Sequence, residues 1–272
     1  MAVKEIVKPI ILQRADPWIY KHTDGYYYFT ASVPEYDRIE IRRSKTINGL
    51  AESEAVTVWR KHKEGMLSAN IWAPEIHYID GKWYVYFAAA RTTETKEGLF
   101  DHRIFVLENE SENPLEGSWV EKGQLKTNWE SFALDATTFE HKGIRYLVWA
   151  QKDPNICGNS NLYIAKMSNP WTIEGKQVMI TEPEYDWEKI GFLVNEGPAV
   201  INRNGKIFIS YSASATDFNY CMGVLIADEN SDLLNKDSWH KSETPVFKTD
   251  EEKEIYGPGH SCFTVSEDGK TD

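Results

Sequence analysis

DPWIYKHTDGYYYFTAS (residues 16–32) and WAPEIHYIDGKWYVYFAAA (residues 72–90) share one design with DATTFEHKGIRYLVWA (135–150) and EGPAVINRNGKIFISYSAS (196–214). Each has a polar or acidic start, an apolar run, a tight turn and an aromatic or β-branched run. A fifth copy opens at His260 as HSCFTVSEDGKTD. The turn dipeptides are Asp24-Gly25, Asp80-Gly81, Lys142-Gly143, Asn204-Gly205 and Asp268-Gly269, with glycines 56, 62, 62 and 64 residues apart. Asp-Gly and Asn-Gly favour hairpin turns because a type I′ turn needs positive φ at both central residues. Such spacing marks an internal repeat.

Each interval holds a second pair of strand-like runs, such as RIEIRRS with AVTVW and NLYIAKM with KQVMIT. Helix-period patterns are scarce. Four strands per repeat and about five repeats predict an all-β fold, a five-bladed β-propeller forming one domain over residues 1–272. The fifth blade is expected to be incomplete, with its missing part supplied by a second chain or absent. The run at residues 5–12 is expected to pair with the last blade, since an open ring would expose unpaired strand edges.

Composition narrows the partners. A net charge of −12 offers no basic stripe for phosphates, so nucleic acid, anionic membranes and strongly acidic polysaccharides are disfavoured and a neutral oligosaccharide fits best. Ten Trp, 14 Tyr and 11 Phe suit sheet cores and sugar stacking alike. Cys157, Cys221 and Cys262 are too few and scattered for a disulfide framework or a zinc site. The opening MAVKEIVKPIILQRADPW lacks an apolar stretch of signal-peptide length, which predicts a cytoplasmic location.

First strands of propeller blades line the axis, so equivalent positions on them converge. Eight residues before the turn-opening residue stand Asp16, Trp72, Glu196 and His260; the third repeat has Leu134 there and Asp135 one step later. The expected repair of that mismatch is a different turn at residues 141–143. Three carboxyl groups around one pore suggest glycosidic bond cleavage, where one acid protonates the leaving oxygen and a carboxylate activates water or attacks. A third carboxylate can hold the acid's pKa high.

ADPW (15–18), WAPE (72–75), LDATTF (134–139), NEGP (195–198) and GPGH (257–260) occur in order, and with them the chain resembles glycoside hydrolase family 43 along essentially its whole length. The resemblance implies an inverting hydrolase of arabinose- or xylose-containing saccharides. It makes Asp16 the general base, Glu196 the general acid and Asp135 the residue that tunes the acid. It also implies a central cation, often calcium, held by His260 with waters; no organic cofactor is expected. The specific expectation is an exo-acting α-L-arabinofuranosidase, with β-xylosidase and a non-catalytic sugar-binding propeller as alternatives.

Each candidate has a plainer reading. Asp16 before a proline could start a turn, Asp135 could be a buried hydrogen-bonding residue, and Glu196 a loop acid. Trp72 is either core or a sugar platform. Phe29 and Trp149 are candidate subsite walls that core packing would equally explain, His260 could be a satisfied core histidine, and Glu75 reads as structural.

Overall fold

The computed structural model describes residues 9–272. Among the described residues sixteen strands form four antiparallel four-stranded sheets, each in simple chain order. Blade I comprises β1 (Ala15–Lys21), β2 (Tyr27–Ser32), β3 (Arg38–Ser44) and β4 (Val56–Arg60). Blade II comprises β5 (Ala69–Ile79), β6 (Lys82–Ala90), β7 (Arg103–Asn109) and β8 (Val120–Gln124). Blade III comprises β9 (Ala133–His141), β10 (Ile144–Gln151), β11 (Asn161–Asn169) and β12 (Thr172–Thr181). Blade IV comprises β13 (Asn195–Arg203), β14 (Lys206–Ala213), β15 (Cys221–Asp228) and β16 (His240–Lys241). The first strands β1, β5, β9 and β13 are successive neighbours around the axis.

Blade faces pack on blade faces, and the apolar runs follow from that. The second strand of each blade is covered on both sides, so β2 is buried throughout and β6 and β10 nearly so. Tyr28, Ile39, Trp83 and Phe87 fill the seam between blades I and II. Tyr86, Trp149 and Tyr163 fill the next, and Val148, Ile164, Ile209 and Tyr211 the third. Large side chains of this kind each contribute about 1.5–3 kcal/mol when fully buried.

The hairpins explain the spacing of the repeats. Asp80-Gly81, Lys142-Gly143 and Asn204-Gly205 have φ of 50° and 83°, 51° and 74°, and 52° and 75°, the signs a type I′ turn demands. Each sits between directly paired residues: Ile79 with Lys82, His141 with Ile144, Arg203 with Lys206. The first hairpin differs: Lys21 pairs with Tyr27, leaving a loop over residues 22–26 in which Gly25 is at φ 86°.

The propeller has four blades, which corrects the five expected from the repeat count. Residues 260–265 form no strand, because no antiparallel neighbour supplies ladder hydrogen bonds. The segment runs instead between blades IV and I. Ser212 Oγ accepts from the His260 backbone N–H at 2.7 Å, and Ser210 and Ser261 hydroxyls meet at 3.0 Å. On the other side the Tyr27 hydroxyl donates to the Val265 carbonyl at 2.7 Å. The pairing expected of residues 5–12 falls in part outside the described residues; Ile10 and Ile11 pack against the blade I cluster of Tyr27, Phe29 and Leu50.

Candidate active site

One backbone device places the site. In every blade the first strand slips register near its start: between Ala15 and Trp18, between Trp72 and Glu75, opposite Val148 and Ala150, and between Glu196 and Ala199. At each slip one residue takes a left-handed conformation: Asp16 (φ 54°), Ala73 (46°), Asp135 (54°) and Gly197 (53°), with His260 (44°) in the corresponding place between blades IV and I. Non-glycine residues held there cost about 1–3 kcal/mol each, and such strain concentrates at functional sites. Bulges of this type re-aim side chains at a sheet's end.

The structural equivalents are therefore Asp16, Ala73, Asp135, Gly197 and His260. This corrects the expected phase of Asp16, Trp72, Glu196 and His260. The third repeat is not the exception: its turn matches those of the second and fourth, and the longer first hairpin sets Asp16 one residue further back. Trp72 and Glu196 stand one residue before the bulge, and both line the same cavity as Asp16, Asp135 and His260.

That cavity measures about 630 Å3. His260 Nδ1 lies 3.2 Å from Asp16 Oδ1 and 3.8 Å from Asp135 Oδ2. Ser32 donates to Asp16 Oδ2 at 2.5 Å, and the same hydroxyl oxygen accepts from the Ala73 N–H at 2.8 Å. The Gly197 N–H donates to Asp135 Oδ2 at 3.0 Å, and the Tyr220 hydroxyl donates to Glu196 Oε1 at 2.9 Å.

The electrostatics separate these groups. Burial, then the charge of Asp135, pushes Glu196 up to about 8, against opposing effects of the Tyr220 hydrogen bond and His260. Burial also lifts Asp135 to about 6, with Asp16 adding to the rise and His260 and the Gly197 N–H opposing it. For His260 burial disfavours the charged imidazole, but the carboxylates of Asp16, Asp135 and Glu196 outweigh it and the net shift is upward. Glu196 is thus kept protonated at neutral pH beside an Asp135 carboxyl group that is more acidic, an arrangement that divides acid from base.

Aromatic rings form the cavity wall. Trp72 stacks on His102 at 4.1 Å and meets Phe100 edge-on at 5.0 Å and Tyr36 at 5.7 Å. Phe132 and Phe192 complete the wall, and Phe192 is 49% exposed at its rim. Phe29 and Trp149 do not line the cavity, which corrects their reading as subsite walls. Both belong to the core: Phe29 packs with Tyr27 and Leu50, and Trp149 is fully buried, its indole N–H donating to Gln151 at 3.0 Å. Glu75 is buried and bonded to His77 Nε2 at 3.0 Å. Burial raises the Glu75 carboxyl well above its ordinary range and pulls His77 down to about 3, disfavouring the charged form of both partners. Sequence reasoning missed Tyr220, Tyr36, Phe100 and Phe192, which lie on connections between strands and follow no repeat period.

A four-bladed propeller with three carboxyl groups converging at one end of its axis defines a glycosidase-type site. A family model described as glycosyl hydrolases family 43 matches residues 6–272, and the chain belongs to that family. It is 58% identical over 264 residues to an extracellular exo-α-(1→5)-L-arabinofuranosidase of Streptomyces avermitilis, covering 97% of this chain and 54% of that protein. A protein of the same description from Streptomyces chartreusis is 54% identical over 264 residues, covering 97% and 79%. The crystal structure of an α-L-arabinofuranosidase from Lactobacillus brevis superposes with a TM-score of 0.96 at 58% identity, covering 97% of this chain and 83% of that one. The chain spans about half the length of the Streptomyces avermitilis relative. The expected cytoplasmic location does not stand, since both Streptomyces relatives are named extracellular.

Proposed function

We propose that this chain is an inverting exo-glycosidase that releases terminal L-arabinofuranose from arabino-oligosaccharides or arabinoxylan fragments. The observation that carries the reading is Glu196, lifted to about 8 by burial and by Asp135 while lining one cavity with Asp16. Relatives at 54–58% identity that are named arabinofuranosidases support the choice of sugar.

In this reading Glu196 gives its proton to the glycosidic oxygen as the bond to the anomeric carbon breaks. Asp16 takes a proton from a water molecule that attacks the opposite face, so each turnover consumes one water and returns both carboxyl groups to their starting states by solvent exchange. The Ser32 hydroxyl and His260 hold the Asp16 carboxylate from its two oxygens. Asp135 touches neither proton; its charge keeps Glu196 protonated until the leaving oxygen demands the proton.

A cation at His260 belongs to the same proposal. Nδ1 faces Asp16 and Asp135, which leaves Nε2 for an ion, and no group of three or more His, Cys, Asp or Glu side chains among the described residues could hold a metal. A single imidazole nitrogen supplies none of the oxygen donors that a hard cation such as calcium prefers, so water would have to make up its shell. Bound there it would add positive charge beside Asp16. A chelator that leaves both melting temperature and activity unchanged contradicts it.

Hydrolysis of p-nitrophenyl α-L-arabinofuranoside and β-D-xylopyranoside by the wild type and by Asp16→Asn tests the function. The reading predicts turnover of the arabinofuranoside, a much poorer xyloside, and loss of both in the variant. A preferred xyloside, or an unimpaired variant, contradicts it.

A further inference from the structure

Tyr220 reaches Glu196 from outside the repeat pattern. It precedes β15, and its hydroxyl donates to Glu196 Oε1 at 2.9 Å. The chain makes unusual room for this ring. A Cβ on Gly259 would lie 2.0 Å from Tyr220 Cε1, so only glycine at 259 lets the phenol reach the acid. Gly259 belongs to the GPGH segment that also carries His260.

The direction of the Tyr220–Glu196 hydrogen bond follows from the phenol's own proton. Burial and then the charge of Glu196 push the Tyr220 phenol well above its ordinary ionisation range, so the ring always carries its proton. Glu196 Oε1, 2.9 Å away, is the target for that proton.

We infer that Tyr220 is a positioning residue that confines the catalytic proton of Glu196 to Oε2 and steadies the carboxylate left after that proton departs. Oε1 already receives one hydrogen, and a second cannot share that contact, so the carboxyl proton resides on the other oxygen. Among the described residues no hydrogen bond occupies Oε2, and Glu196 lines the cavity. When the proton moves from Oε2 to the glycosidic oxygen, the C–O bond breaks and Glu196 becomes a carboxylate. The Tyr220 hydrogen bond is then made to a charged acceptor, and such bonds are roughly twice as strong as neutral ones. The contact therefore strengthens along the reaction, and its loss falls on kcat rather than KM.

The inference rests on Glu196 being the general acid. Its test is the leaving-group dependence of kcat for wild type, Tyr220→Phe and Glu196→Gln, on aryl α-L-arabinofuranosides of graded phenol acidity and on an arabinobiose. Tyr220→Phe is expected to lower kcat roughly ten-fold on the disaccharide, a fraction of what a general acid supplies. On the most acidic phenols it should stay within about two-fold, with KM little changed. Glu196→Gln should show a steeper dependence of the same sense. Gly259→Ala, which pushes the ring aside but keeps the phenol, should repeat the Tyr220→Phe signature. An equal loss across the series, or a change confined to KM, overturns the role of Tyr220 while the reading of Glu196 stands. A Glu196→Gln variant without leaving-group dependence sinks both.

Discussion

The backbone N–H of Gly197 donates to Asp135 Oδ2 at 3.0 Å, tying the residue next to Glu196 to the carboxyl group on the neighbouring first strand. Both residues sit at bulges, at φ 53° and 54°. The bond links β13 to β9 and fixes the spacing of two carboxyl groups that would otherwise repel. Asp135 can therefore act on Glu196 through a held geometry, and the consequences are measurable.

Asp135→Asn removes a negative charge that raises Glu196. The sign is clear: without it the Glu196 carboxyl ionises at lower pH. With Glu196 as the proposed acid, activity requires its protonated form, so the alkaline fall of kcat, expected near pH 8 in the wild type, moves to lower pH. The loss should be greatest on oligosaccharides and least on activated aryl glycosides. A pH profile with an unmoved alkaline limb contradicts the assigned role.

Glu196 also makes stability depend on pH. Its folded value of about 8 exceeds the ordinary carboxyl value, so between the two the folded state binds the extra proton. Stability then falls as pH rises through this window, because ionising the buried acid costs free energy. Glu196→Gln has no such titration. Its unfolding free energy should match or exceed that of the wild type by a margin that grows from pH 5 to pH 8, on the order of a few kcal/mol at most. A margin that shrinks with rising pH contradicts the shift.

Gly197→Ala tests the bulge. A Cβ there would meet His260 Nδ1 and Cγ at 3.1 and 3.2 Å, and the residue would sit at φ 53°, a strain of about 1–2 kcal/mol for an ordinary side chain. The variant should fold, melt some degrees lower and lose more than about ten-fold in kcat as His260 and the Asp135 hydrogen bond shift. Unchanged kinetics would separate the bulge from function.

Trp72 and Trp149 should respond in opposite ways. Trp72→Ala removes a cavity wall and is expected to raise KM with modest effect on melting. Trp149→Ala empties the seam between blades II and III, at a cost of about 3–5 kcal/mol. Thermal melts and Michaelis curves on both variants distinguish the roles.

Much of this architecture is written in the turns. Asp80-Gly81 and Asn204-Gly205 are visible as hairpins because positive φ at two residues restricts the choice of side chain. The first repeat misleads for the same reason: Asp24-Gly25 looks identical, yet it sits within a longer loop closed by Lys21 and Tyr27. Counting back from it gives a phase one residue out. The error leaves Asp16, Asp135 and Glu196 as candidates, because each is acidic within or beside an apolar run at a strand's start. The blade count goes wrong because an apolar run at residues 260–265 reads as a strand, whereas a strand exists only with a neighbour. Tyr220 and Phe192 were illegible: they lie on connections, and only folding shows which connections return to the axis.

In the proposed mechanism Asp16 activates water on the face opposite Glu196. Proton NMR of the first-formed sugar, taken before mutarotation, tests it most directly. The account predicts that an α-L-arabinofuranoside releases β-L-arabinofuranose, the inverted anomer. Release of the α anomer would make Asp16 a nucleophile and contradict the claim.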